Sequence, residues 1–486
     1  MAEAPAIPAG MQSNAVQSAA VRRLILCLFV VLGLLAVRLA WGYYTDRLLR
    51  NHLDAIRANG QPLAAADYVF DAIPDADNAA RYLQDAANAI VAGADSPRAT
   101  NMVYPPYPPY DPAWMAAAEG SETANVKAFA LAREARGHTR AQWYSQPMMG
   151  PLAMQMRGFL NSARHLANTL TDGATLAHVR GDDTEAIERL RDTLHLARSI
   201  HDDETTISQL VAIGIGALTC DAVMIIAPGL RLDSGSGATS APATRAAAQA
   251  LMAELLDEAM LQRGFLRGLE FERATVHEYI RGKGKGTWVI RPLATAQLVR
   301  EHRNFDLYFE AAKLPDKPHA RAALTKLTKE QPLSWSRGEV PRYSRWFADF
   351  HAPDRYLEMR FRVSSERRMA ATSLAVQLFR ADQGRWPADL TELIPKYLPA
   401  VPLDPYKVND PIGYVVFRGA LPDGRDRPML FVRASETVDN DIGPFPEPTY
   451  SWENDRSTAR RIIWQYRDLS RFVPPPASTQ AVDEQP

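Results

Sequence analysis

The chain has 486 residues, with 55 Lys and Arg against 56 Asp and Glu, for a formal net charge of −1. That balance excludes a global field drawing nucleic acid, and two cysteines, Cys27 and Cys220, exclude a disulfide framework or a cysteine metal site. The length leaves room for two or three domains, and 35 prolines concentrated in a few places mark the seams.

Residues 1–21 read as a disordered tail. Residues 24–37 (LILCLFVVLGLLAV) then form the one long uncharged apolar run, preceded by Arg22 and Arg23. With Leu39, Ala40 and Trp41 the stretch nears the roughly 20 residues that cross a bilayer at ~1.5 Å each. Arg38 lies near its far end, where a long side chain snorkels, and Trp41, Tyr43 and Tyr44 follow at interfacial depth. A cleaved secretory signal has the same charged start and apolar centre, but the bulky Leu39 and Trp41 spoil the nearby small-residue cleavage registers. The reading is an uncleaved anchor over 22–44 with the N-terminus inside. Arg47, Arg50 and Arg57 weaken the charge bias, yet long C-terminal domains translocate largely regardless of charge.

Residues 45–59 continue the helix, with Leu48, Leu49, His52, Leu53 and Ile56 on one stripe. Residues 78–91 form a short amphipathic helix, and the proline-tyrosine stretch 104–112 is extended, a stiff loop or a ligand for an aromatic groove. A helical period dominates 113–226. Gly181 ends one helix, Asp182 or Asp183 caps the next, and Ala186, Leu190, Leu194 and Ala197 form its inner stripe. The spacing of Gly181, Ala186 and Leu190 resembles one tetratricopeptide-type unit. A stack needs about three, so packed hairpins are expected rather than a peptide-binding solenoid. Residues 205–227 are very apolar but carry Gln209 and Asp221, which are costly in lipid, so they read as a core helix. Residues 230–243 are a flexible connector, 244–279 one long helix, and the Gly-Lys run 282–286 an exposed turn without the residues of a phosphate loop. Helix returns over 293–313, and 315–341 reads as irregular.

A helix over 364–381, capped by Ser364 or Ser365 with Leu374, Leu378 and Phe379 inward, runs into Gly384-Arg385-Trp386-Pro387. A Leu-rich segment (390–394), Leu398-Pro399 and Asp404-Pro405 follow. Two strand-like runs, 413–418 and 429–434, are joined by the turn signal Pro422-Asp423-Gly424-Arg425. This order resembles the globular part of type II secretion pseudopilins over residues 364–443. The family's N-terminal helix, with its processing Gly and nearby Glu, is absent from residues 1–45, so the resemblance implies a borrowed module rather than assembly into a pseudopilus. Some pseudopilins hold calcium after their last strands. Asp439, Asn440 and Asp441 stand in a comparable place, with an Asx-rich turn as the alternative. The overall layout also resembles large membrane-anchored bacterial proteins, which implies an inner-membrane protein with its bulk in the periplasm.

The fold expected is therefore mainly α: an anchor at 22–44, a helical-hairpin domain over 45–355, an α+β module with a short antiparallel sheet over 356–472, and a disordered tail at 473–486. The sequence offers no catalytic, cofactor-binding or metal-ligating residue. His195 and His201 are six apart and face different ways, His277-Glu278 lacks the second histidine of a zinc-protease helix, and His165, His178, His302 and His351 stand alone. Glu254, Asp257 and Glu258 read as a solvated face, and Arg263, Arg267, Glu270 and Arg273 as surface pairs. The expected partners are the membrane and other proteins, with no nucleic acid. Two functions remain open: a non-enzymatic envelope protein serving assembly or binding, or a membrane-tethered hydrolase whose acids converge only in three dimensions.

Overall fold

The computed structural model describes residues 9–64, 67–68, 72–100, 110–144, 156–203, 205–232, 242–283, 288, 291–330, 353–417, 427–433 and 462–464. The stretch 101–109, the Ser-Gly connector at 234–237, residues 284–286, the turn at 422–425, and Asp439, Asn440 and Asp441 lie outside them.

α1 (Ala9–Ala58) is one uninterrupted helix. α2 (Ala79–Asn88) starts at Asn78, whose side chain accepts from Ala80 N at 3.1 Å. Asp111 caps α3 (Pro112–Ala124) in the same way, with Pro112 at the first position where its missing N–H costs nothing, and α4 (Val126–Ala135) follows Asn125. α5 (Met156–Arg180) and α6 (Asp183–Ile200) form the expected hairpin. Gly181 turns the chain with φ at 92°, and Asp182 accepts from Glu185 N at 3.0 Å. α7 (Thr206–Ile226), capped by Thr205, is buried along most of its length and is the core helix its polar residues imply.

The long helix expected over 244–279 is broken into α8 (Arg245–Leu256) and α9 (Ala259–Lys283). A distant arginine causes the break. Arg367 donates to the carbonyl oxygens of Leu255 (2.9 Å), Glu254 (2.7 Å) and Asp257 (2.9 Å), satisfying the end of α8 from outside, and Asp257 then accepts from Ala259 N at 3.1 Å. α10 (Arg291–Lys313) is close to expectation. The segment expected to be irregular holds α11 (Lys317–Glu330), which starts at Asp316, an acceptor for His319 N at 2.9 Å, with Pro318 in a position a first turn tolerates. α12 (Pro353–Gln383) begins well before the predicted cap. Ser364 and Ser365 are buried inside it, and Ser365 Oγ donates to Arg362 O at 2.6 Å. The seam expected between 355 and 356 therefore falls within a helix. After Gly384 (φ 67°) and a short 3-10 turn at Leu390–Leu393 comes an antiparallel sheet of order β1-β2-β3: β1 (Gly413–Phe417), β2 (Arg427–Arg433) and β3 (Ile462–Trp464). Tyr414 lies opposite Leu430, and Phe431 opposite Trp464. The first two strands match the sequence reading; the third has no counterpart in it.

The chain gathers into two units, Met1–Asp67 with Arg273–Asp306, and Tyr68–Glu272 with Leu307–Pro486. In the first, α1 between Val21 and Ala58 is long and apolar enough to cross a bilayer, and none of its most apolar stretch is buried. Leu24, Phe29 and Leu34 are exposed, a surface that is costly in water and satisfied by acyl chains. Beyond the apolar run α1 gains protein neighbours: Thr295 donates to Asp46 at 3.3 Å, and Ile56 is buried.

In the second unit α5, α6 and α7 pack in succession, and α12 lies on α7 and α8. The predicted stripe of α6 is fully inward, with Ala186, Leu190 and Leu194 at 0% exposure. α12 contributes Met369, Ala370, Leu374 and Val376 to the interior, so it belongs to the helical body as well as leading into the sheet.

Candidate functional site

Three polar constellations are built by this packing, two in the larger unit and one in the smaller, beside α1. The first is a belt of charge between helices. α4 places Arg133 Nε 2.7 Å from Asp192 Oδ2 and Arg136 Nη1 3.1 Å from Asp192 Oδ1, on α6. Arg136 also pairs with Glu188. Arg191 Nε then reaches Glu254 at 2.9 Å, and Arg368 Nε reaches Glu258 at 2.8 Å. Glu254 and Glu258 are thus not the solvated face expected from their spacing, because α6 and α12 bring arginines over them. Asp192 is 1% exposed, and burial pushes its carboxyl up to about 6 against the opposing pull of Arg133 and Arg136.

The second constellation is acidic and interior. Arg98 and Asp172 are paired at 2.7 Å with both side chains 2% exposed, and the Arg98 backbone N–H donates to the same carboxylate at 2.9 Å. Burial raises Asp172 while Arg98 lowers it. Asp221 is pushed up to about 6 by burial, with Arg98 lowering and Glu366 raising it. Glu366, also raised by burial, accepts from Arg362 Nε at 2.8 Å. Nearby in sequence to α7, His201 Nδ1 shares a 2.6 Å hydrogen bond with Gln209 Oε1, and burial lowers His201 to about 4. Burial also raises Asp203 to about 6, although Thr205 N donates to it at 2.8 Å. His201 itself closes α6. Raised carboxyls suit proton transfer chemically, yet Asp172 is tied to Arg98, Asp203 accepts from the Thr205 backbone N–H, and Glu366 accepts from Arg362 one turn before it on α12.

The other histidines divide. His195 is lowered to about 4 by burial. His178 does not stand alone: its Nδ1 is 2.5 Å from Asp183 Oδ1, and Asp183 also accepts from Arg231 N (2.7 Å) and Nε (2.8 Å), locking the α5–α6 turn. Burial opposes ionisation of Asp183, but these hydrogen bonds win and its carboxyl is lowered.

The third constellation is the strongest candidate for a site. It lies in the first unit, where α1 leaves the apolar run. His277 Nδ1 and His302 Nε2 are 2.9 Å apart, the His302 ring lies 5.6 Å from that of His52, and His52 Nε2 is 3.1 Å from Asp306. His302 is 1% exposed, and its Nδ1 is buried without a hydrogen-bond partner. Burial first, then the nearby His277, His52 and Arg273, push His302 down to about 3. His277 is lowered by burial, with Arg281, Arg57 and Arg273 lowering and Glu278 raising it. One ring must donate and the other accept, so the pair is a neutral hydrogen bond whose protonation would put positive charge among arginines. Arg273, expected in a surface pair, is 1% exposed and donates to Gln61 Oε1 at 3.1 Å. No spacing rule joins positions 52, 277 and 302. The available cue was His52 itself, which the stripe of Leu48, Leu49, Leu53 and Ile56 places inward.

Among the described residues no group of three or more His, Cys, Asp or Glu side chains is arranged to hold a metal ion. Cys27 is exposed on α1 and Cys220 buried in α7. Among the C-terminal aromatics, Tyr397 and Tyr406 are buried and Trp386 is half-buried under Arg380, whose guanidinium is 4.1 Å from its ring centroid; Phe445, Tyr450 and Trp452 lie outside the described residues. No protein-family model, curated protein or solved structure matches the chain.

Proposed function

We propose that the protein is a single-pass, membrane-anchored, non-enzymatic component of the bacterial cell envelope, with its bulk on the periplasmic side of the inner membrane and a role in assembly or protein binding. One observation carries this reading: a bare apolar stretch on α1 continues as the same helix into the buried histidine junction, so the anchor packs directly against folded chain within the smaller unit. The inter-helix ion pairs support it further, since paired charges between helices suit a rigid scaffold. The pseudopilin-like reading of residues 364–443 is part of the proposal and rests on the order of motifs in the sequence.

The raised carboxyls of Asp221 and Glu366 favour the second reading, a membrane-tethered hydrolase. The two are separated by cross-linking the full chain in native membranes and comparing it with its Asp221→Asn and Glu366→Gln variants. The assembly reading expects the same cross-linked partners in all three and no difference in turnover across ester, peptide and glycoside substrates. Turnover by the native chain that either variant abolishes would replace it with the hydrolase.

A further inference from the structure

The anchor ends in exposed aromatics, Trp41, Tyr43 and Tyr44. At this level α1 is joined by the start of α10 and the residues before it. The Arg38 guanidinium lies over the Trp288 ring, 4.3 Å from its centroid, and donates to the Trp288 carbonyl oxygen. One turn on, the bare Gly42 leaves room for the Arg38 guanidinium, whose Nη1 is 2.8 Å from where a Cβ would stand, and Pro292 Cγ lies at ordinary contact, 3.6 Å from the same point, so α10 begins against α1. Trp288 and Leu293 remain 56% and 55% exposed despite these contacts. Arg281, near the end of α9, and Arg291, the first residue of α10, are exposed on either side of Trp288 in sequence.

In water this is an unfavourable surface: a large indole and a leucine are bare, with two exposed arginines close by in sequence. At a bilayer interface the same set is matched, because indole rings partition there and guanidinium groups pair with lipid phosphates. The depth is set by α1. Arg38 and Gly42 are one turn apart, about 6 Å along the axis, at the end of the apolar run. Whatever touches them stands at the same level as Trp41 and Tyr44.

We propose that Trp288 and Leu293, flanked by Arg281 and Arg291, form a second membrane contact lying in the anionic headgroup layer of the bilayer that α1 spans. The proposal rests on the anchor reading above. It gives Arg38 a role beyond snorkelling, as the strut that ties this foot to the anchor, and it gives the protein two points of support that fix the roll of α1.

The test uses the full chain with Cys27→Ala and Cys220→Ala, carrying one fluorophore-labelled cysteine at Leu293, Leu32 or Asp54. Asp54 is exposed on α1 and lies about 15 Å beyond Tyr44 along the helix. Vesicles of phosphatidylcholine and phosphatidylglycerol carry a nitroxide either on the headgroup or deep in the acyl chain. The expected result is strongest quenching of position 293 by the headgroup nitroxide, of position 32 by the acyl nitroxide, and of position 54 by neither. The Arg281→Glu, Arg291→Glu pair should weaken headgroup quenching at 293, as should removal of phosphatidylglycerol. Position 293 behaving like 54 while 32 stays acyl-quenched would overturn the foot and leave the anchor standing. Loss of quenching at 32 as well would overturn both. Quenching at 293 that ignores lipid charge would overturn the assignment to anionic headgroups.

Discussion

Replacing Arg98 with methionine removes the cation from a pair whose two side chains are each 2% exposed. Methionine keeps most of the stem, so the loss is electrostatic rather than a cavity. Removing one partner of a buried pair typically costs about 3–5 kcal/mol, because the other charge is left uncompensated. Asp172 retains the 2.9 Å bond from the backbone N–H of residue 98, and burial already raises its carboxyl toward the neutral form. Both effects place the expected loss near the low end, ~3 kcal/mol, or roughly 4 °C in melting temperature for a unit of this size. The sign with pH follows. A carboxyl whose folded pKa lies above its unfolded value favours the fold fully below the unfolded pKa and loses that contribution as pH rises through the folded one. The deficit of Arg98→Met should therefore be largest at neutral pH and shrink in acid. Thermal melts by circular dichroism at pH 7 and pH 5 measure it, and Arg98→Met with Asp172→Leu should recover most of the loss. A single variant as stable as the parent, or a double variant no better than the single, would refute the reasoning.

His302, held down to about 3 against an ordinary value near 6.5, contributes stability that is present above about 6.5 and lost as pH falls toward 3; His302→Leu should flatten that acid limb in a pH series of melts. Gly181→Ala should cost about 1–2 kcal/mol in urea unfolding, since φ is 92° and the new Cβ would stand 2.7 Å from Arg231 Nη1. Arg367→Met should cost about 3 kcal/mol by freeing the last carbonyls of α8, and Arg367→Lys should recover only part of it, because an ammonium lacks the fork that reaches three oxygens; equal midpoints for Lys and Met would count against the fork.

Local signals carried the helical half of the fold into the sequence. Gly181 and Asp182 mark a turn whose chemistry is complete within a few residues, and the inward stripe of α6 follows from a period of 3.6. What stayed hidden was set by distant groups. Arg367 cuts a helix that its own sequence would continue, and Asp316 with Pro318 starts one where the sequence reads as irregular. Ser364 and Ser365 have cap chemistry but lie inside α12, where tertiary burial overrides local preference. The candidate site was the least legible part, since His52, His277 and His302 meet only when α1, α9 and α10 pack together. Residues that pair across helices, such as Glu254 with Arg191, look like a solvated face when only their own helix is considered.

Fusing alkaline phosphatase after Pro486 of the full chain, and a cytosol-dependent fluorescent protein at the same position in a parallel fusion, tests the membrane reading most directly, with each fusion recovered from membranes washed in alkaline carbonate. The expected result is full-length protein that resists the wash, an active phosphatase and a dark fluorescent reporter. A chain released by carbonate, a product shortened at its N-terminus, or a bright fluorescent fusion with inactive phosphatase would contradict it.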